Sequence, residues 1–492
     1  MCIACNRGLT ALARALTSRR DFLSHGAAVL AAPLASPPMA RAASAGGAEV
    51  LFRNGTVITM DRTKPRADAV AVRDGKILAV GSEAELESLR TARTKVVDLA
   101  RGALLPGFTD PHMHTGFVAF DTWLDAGPFA NASLENVVRK LKDAAGKAAP
   151  GEWVKAWQFD ATITPGKVTF DKALLDAIAP ANPLLLIESN GHIGHVNSRA
   201  LAAAGVDRDT PDPPQGRFVR DANGEPTGEL QETAAFLPFL AKTGMPTADE
   251  MAAAIERLFK TAASRGCTGL FDCSIGINGP GELALIQGVM SRDPPIRFGG
   301  ALVSTRMKAW RDAGLKPGFG TDRFRISAIK AWSDGSNQGR TGFQREPYLG
   351  STSRGALNYT PQQLTDAIRE AHEDGWQVCV HSNGDAAIDT TLDAYEAVLT
   401  ARPRADHRHR IEHCSILHDE HIARMKALGL SPSFLIGHVH YWGRAFRDDI
   451  LGPQRADRLD PCASALRGGL RPTLHSDFNV TDIGPLRMVE NA

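Results

Sequence analysis

The chain has little charge imbalance: 56 Lys and Arg stand against 55 Asp and Glu, a formal net charge of +1. With no basic stripe interleaved with aromatics either, there is no electrostatic footprint for nucleic acid. Long apolar runs are also missing. Beyond the first few dozen of the 492 residues, no stretch is apolar for the roughly 20 residues that a membrane helix needs, so no membrane partner is expected. Cysteine is sparse. Of seven, Cys2 and Cys5 lie at the extreme N-terminus, and Cys267, Cys273, Cys379, Cys414 and Cys462 form no CxxC pair. An odd set inside mostly apolar, strand-like runs argues against a disulfide framework or a thiolate zinc site, and for small buried side chains.

What is present fits an ordinary globular protein, with 43% apolar and 23% charged residues. The length allows one large domain and a smaller accessory one. Residues 1–45 read as a twin-arginine signal peptide. Ser18-Arg19-Arg20-Asp21-Phe22-Leu23 precedes a weakly apolar Gly26 to Leu34, and small-residue cleavage options follow at Ala40-Arg41-Ala42 and Ala43-Ser44-Ala45. That order of charge, apolar run and small residues predicts a periplasmic or secreted bacterial protein.

From residue 46 to 104, short alternating segments are punctuated by Asn54-Gly55 and Asp74-Gly75, the signature of a small β-sandwich-like domain made of hairpins. From 105 to 492, apolar strands alternate with helical stretches. Strands are predicted at Leu105–His112, Thr268–Cys273, Ile296–Val303, Arg325–Trp332, Gln377–Asn383, Arg410–Cys414, Leu430–Ile436 and Pro472–Asp477. Eight is the number that an α/β fold of the TIM-type (β/α)8 barrel requires. A ninth apolar run, Leu184–Glu188, and a hairpin around Asn223-Gly224 fall within residues 118–246, read as a large insertion after the first barrel strand. Insertions there land over the mouth of a barrel.

His112 and His114 end the first strand. With a side-chain period of two, both imidazoles face the barrel interior at the end where barrel active sites are built. Asp110 shares their parity one step deeper. His381, His413 and Asp477 end later strands, and Lys330 sits inside the apolar run Ile326–Trp332. A buried ammonium there is costly unless it is paired, for instance with Asp334, or chemically altered, as in a carbamate that ligates metal.

Leu105-Pro106-Gly107-Phe108-Thr109-Asp110-Pro111-His112-Met113-His114 resembles the first-strand signature of the amidohydrolase superfamily. Asn190-Gly191-His192 with Asn197–Leu201, Lys330–Ser336 and His381-Ser382-Asn383-Gly384-Asp385 resemble one branch of it, the YtcJ-like (amidohydrolase-3) metal-dependent hydrolases that include N-substituted formamide deformylases. The resemblance implies two divalent metals, zinc foremost, with iron, manganese or nickel as alternatives. His112, His114 and Asp477 would hold one, His381 and His413 the other, and carbamylated Lys330 would bridge them. Asp477, Lys330 and His413 would carry the chemistry: a bridging hydroxide attacks a polarised amide or formamide carbonyl, and Asp477 shuttles the proton to the leaving amine.

The chain departs from that branch in three ways. Asn190 stands where an aspartate is usual, His475-Ser476-Asp477 replaces Gly-Ser-Asp, and the last helix and strands that complete the small β domain are expected to be missing. His475 shares the parity of Asp477 and should face inward. His192, Arg340, His438 and His440 are candidate contacts for a small amide-type substrate, whereas His407, His409, His418 and His421 are expected to be solvated. Two other functions are compatible: a one-metal deaminase of the same fold, against which Lys330 argues, and an exported metal- or ligand-binding protein that has lost activity. A homodimer remains open.

Overall fold

A computed structural model of the chain describes residues 47–492 apart from 161, 167–169, 214–215 and 245. The predicted leader, with Cys2 and Cys5, lies outside the described residues. These divide into two compact units whose boundary falls between Phe108 and Thr109.

In the smaller unit, Val50–Arg53 pairs antiparallel with Ala69–Arg73 and parallel with Lys95–Asp98, and Lys76–Gly81 completes a four-stranded sheet. The hairpin between Ala69–Arg73 and Lys76–Gly81 turns on Asp74 and Gly75, both at positive φ (53° and 69°). That is the conformation a two-residue turn between twisted strands demands. Leu51, Ala69, Ala71 and Leu86 form its small core. A second sheet joins Arg66–Ala67, Thr56–Ile58 and Ala103–Leu104.

The larger unit is a parallel barrel. Its strands are β1 (Phe108–Met113), β2 (Cys267–Ile275), β3 (Arg297–Val303), β4 (Phe324–Trp332), β5 (Gln377–Ser382), β6 (Arg410–His413), β7 (Ser431–Phe434) and β8 (Thr473–Leu474), hydrogen-bonded in sequence order. Registers such as Lys330↔Cys379 and Ser382↔His413 line up their C-terminal ends. Past the end of β8 the ring is drawn together at its seam: Asp477 N–H donates to the His112 carbonyl and His114 N–H to that of Phe478, each at 3.0 Å. The last strand is shorter than predicted because the chain leaves the ladder to carry Asp477, at φ 52°, into the mouth. The covering helices begin where the sequence caps them. Thr360 accepts from Gln363 N–H and Pro361 opens the first turn of helix Pro361–Glu373.

Between β1 and β2 the chain builds its own six-stranded sheet, ordered Arg217–Arg220, Pro226–Gln231, Ile193–Val196, Leu184–Glu188, Val154–Phe159, Leu124–Asp125. Leu184–Glu188, the ninth candidate, belongs here and is buried at every position. Trp442 Nε1 donates to Asp160 Oδ2 (2.7 Å) and Gln158 Nε2 to the Asn479 carbonyl (2.7 Å), which ties this sheet to the segments following β7 and β8. Among the described residues, no helix is long and apolar enough to cross a membrane.

Candidate metal centre

β1 delivers His112, and His114 follows immediately after it, with their Nε2 atoms 3.3 Å apart. Asp477 comes from the far side of the seam, its Oδ1 lying 3.0 Å from His114 Nε2 and 3.4 Å from His112 Nε2. Lys330 Nζ approaches His112 Nε2 at 3.1 Å from β4. His413 Nδ1 lies 3.7 Å from Asp477 Oδ2, and the His381 ring meets that of His413 edge-on at 4.5 Å. The six predicted ligands therefore gather at one end of the barrel, each at most 2% exposed.

The donor atoms are left in a state that suits a cation. Both Asp477 carboxylate oxygens, both His413 ring nitrogens and His381 Nδ1 are buried without a hydrogen-bond partner. Burial is the largest influence on every ring: it holds His112, His381 and His413 well below the usual histidine range and His114 down to about 3, with the Lys330 charge acting the same way. The imidazoles are thus neutral and keep lone pairs. Burial pushes Asp477 up to about 7, with nearby positive charge opposing it. Unpaired buried polar atoms are costly. Ligand atoms of His112, His413 and Asp477 lie within 4.8 Å of one another, so nitrogen and oxygen donors converge as a bound metal ion requires.

Several supporting groups were not legible in the sequence. Glu412 Oε2 sits 2.7 Å from His112 Nδ1, and Ser274 Oγ 2.6 Å from His114 Nδ1. Asp272 accepts from Ser274 N–H and from Thr115 N–H. In a regular strand Glu412 and His413 would point to opposite faces. His413 instead adopts φ 70° and Cys414 φ 50°, a left-handed bend that lets both side chains serve the site. Such backbone is unfavourable for side chains other than glycine and clusters where function needs it. Asp110, which the sequence placed one step deeper on the same face, accepts from Ser476 Oγ at 2.5 Å and from His112 N–H at 3.3 Å and braces the seam. His475 faces inward as its parity suggested, stacked on His112 at 4.4 Å.

A family model described as an amidohydrolase family matches residues 95–492. The chain belongs to the amidohydrolase family. It is a hydrolase of carbon–nitrogen bonds on a TIM-type barrel. The amidohydrolase is 31% identical over 473 residues to the protein LONG AFTER FAR-RED 3 of Arabidopsis thaliana, covering 90% of this chain and 78% of that one. It is 29% identical to an N-substituted formamide deformylase of Arthrobacter pascens and to a YtcJ amidohydrolase of Bacillus subtilis, in each case over 90% of this chain and 83% of the relative. An uncharacterized metal-dependent hydrolase from Pyrococcus horikoshii has the same fold, with a TM-score of 0.69 at 20% identity over 90% of this chain and 85% of that one.

The candidate substrate residues of the amidohydrolase divide. His192 is buried, pairs through Nδ1 with Glu232 Oε2 at 2.7 Å, and lies 6.4 Å from the His381 ring. His438 is buried beside Asp460 (3.3 Å), and its Nε2 has no partner. His440 is exposed against Tyr441: residues 438–442 form a wide helical turn, so strand parity does not relate the two histidines. Arg340 turns its guanidinium to the carbonyls of Asp449 (2.8 Å) and Leu349 (3.4 Å). Asn190 braces the turn, its Oδ1 accepting from His192 N–H and its Nδ2 donating to Glu188. The expectation of solvated histidines is corrected for three of the four. His407, His409 and His421 are buried, and their ring nitrogens are engaged by backbone groups, by His372 or by Asp389. Only His418 is partly exposed.

Proposed function

We propose that this amidohydrolase cleaves a non-peptide amide or formamide bond at a two-metal centre held by His112, His114, Asp477, His381 and His413, with Lys330 as a bridging carbamate. The observation that carries the reading is the convergence of partnerless lone pairs on His413, His381 and Asp477 in a fully buried site. Divalent metals bound there would lower the pKa of water from 15.7 to about 7 and polarise a carbonyl. Lys330 would become a ligand by losing a proton and adding carbon dioxide, which also removes the cost of a buried ammonium. Asp477 reaches both His114 and His413, which suits it to take a proton on one side and release it to the departing amine. Glu412 and Ser274 fix the rings of His112 and His114 from behind, so their Nε2 atoms face the centre.

Similarity to an N-substituted formamide deformylase along 90% of the chain supports the same bond type. The twin-arginine segment extends the proposal to an exported enzyme, to be checked by cell fractionation. The decisive experiment measures amine release by the zinc-loaded full chain, with bicarbonate, over N-formyl and N-acyl amines. Turnover is expected and should vanish in His112→Ala and Asp477→Asn while cooperative unfolding persists. A metal-replete wild type inert across the set overturns the reading, and one metal per chain overturns its two-metal form.

A further inference from the structure

A cavity of about 790 Å³ is not lined by any of the six ligands. It lies one residue away from them. Glu232 and Thr341 line it; Glu232 pairs with His192, whose ring lies 6.4 Å from that of His381, and the Gly335 carbonyl is 3.0 Å from His381 Nε2. A Cβ on Gly335 would stand 2.2 Å from Thr341 Oγ1 and 3.2 Å from Glu232 Oε1, so the cavity lining closes directly on the residue that His381 rests against.

Inside the cavity the side chain of Gln338 is anomalous. It is 5% exposed, yet neither Nε2 nor Oε1 has a hydrogen-bond partner. A buried amide leaves both a donor and an acceptor to be satisfied, and leaving them unpaired is costly. Glu188, Glu229 and Glu232 line the same cavity. Two cations touch the same lining, but Arg217 is solvent-exposed and Arg340 is spent on backbone carbonyls. Phe159 and Phe170, packed at 4.6 Å, supply an apolar wall.

We propose that this cavity seats the nitrogen substituent of the substrate, and that Gln338 selects a neutral group with paired donor and acceptor, a carboxamide or ureido, over a carboxylate. The inference rests on the hydrolase reading for what the substituent is attached to, and on the cavity alone for its chemistry. The complementary edge answers both orphan atoms of Gln338, whereas an anion would meet three carboxylates. The apolar wall takes the carbon chain that leads to the group.

The test is binding rather than turnover: dissociation constants of hexanamide and hexanoate for the full-length zinc-loaded protein. Hexanamide should bind at least about tenfold more tightly than hexanoate. Gln338→Leu, similar in volume, should weaken hexanamide by up to about tenfold, and Glu188→Gln should narrow the gap by admitting hexanoate. Thermal unfolding of each variant separates lost recognition from lost structure. Equal hexanamide binding by wild type and a folded Gln338→Leu, equal affinity for the two probes, or no hexanamide binding at about 10 mM overturns the proposal. Failure of N-formyl amine hydrolysis would leave these constants untouched, so the two readings fail separately.

Discussion

Glu412 stands directly behind His112, its Oε2 2.7 Å from Nδ1, while its Oε1 faces Arg410 Nε at 2.8 Å. A carboxylate there requires the Nδ1–H tautomer and directs the Nε2 lone pair of His112 toward Asp477 and Lys330. Glu412→Gln keeps the shape and removes the charge. Zinc affinity should fall by roughly 10–100-fold, read by competition with a chromophoric chelator, and the apoprotein should unfold more easily because buried Arg410 loses its counter-charge. Unchanged zinc affinity would show that the pair serves Arg410 alone.

Metal should also stabilise the fold. Apoprotein must bury the oxygens of Asp477 and the nitrogens of His413 unsatisfied, and a ligand that binds only the native state adds RT ln(1 + [L]/Kd), about 2.7 kcal/mol at 100 times Kd. Thermal unfolding with excess zinc and after chelation should differ by several degrees in the wild type and by much less in Asp477→Asn. Coincident curves would argue against a built metal site.

The barrel was legible because each strand is an apolar run bounded by turns, and because His112, His114 and Lys330 break that pattern where a metal end belongs. Periodicity could not disclose Glu412. It neighbours His413, and only the left-handed bend at His413 turns both inward. Glu232 was hidden for a different reason: it reaches the site from the insertion, 120 residues after His112 in a sequence whose long-range pairings no local signal records. His407 and His409 looked solvated among Arg404, Asp406 and Arg408. Their burial follows from backbone partners that sequence does not display.

Those two histidines and His372 form a relay with one orientation. Val378 N–H donates to His409 Nδ1, His409 Nε2 lies 2.9 Å from His372 Nδ1, and His372 Nε2 lies 2.8 Å from the Arg402 carbonyl. His409 N–H likewise donates to His407 Nδ1, and His407 Nε2 faces the Leu428 carbonyl. Every Nδ1 already faces a donor, so no ring can gain a proton in place. Burial accordingly lowers all three below the ordinary histidine value of 6.5, with Arg404 acting in the same sense. The unfolded chain therefore binds more protons below that value, so this contribution to stability is complete above it and is lost as pH falls. In denaturant titrations at fixed zinc, the advantage of wild type over His409→Gln should shrink from pH 7.5 to about 5. A gap independent of pH would refute the relay.

The glycine of His381-Ser382-Asn383-Gly384-Asp385 has an ordinary φ of −78°, so conformational freedom is not why it is there. A Cβ at Gly384 would lie 2.0 Å from the Phe343 carbonyl oxygen and 2.4 Å from its carbon. Backbone against backbone cannot yield by a rotamer change. The close approach has a purpose: the N–H groups of Phe343, Asn383 and Gly384 all donate to the Asp334 carboxylate, at 2.8 to 2.9 Å, which locks the loops after β4 and β5 around His381. Gly384→Ala should therefore cost about 1–3 kcal/mol in denaturant-induced unfolding. It should also weaken zinc binding, because the displaced loop carries Gly335 and the His381 ring that rests on its carbonyl. A variant as stable as wild type would mean that Phe343 can retreat, and that the Asp334 clamp is looser than its three hydrogen bonds require.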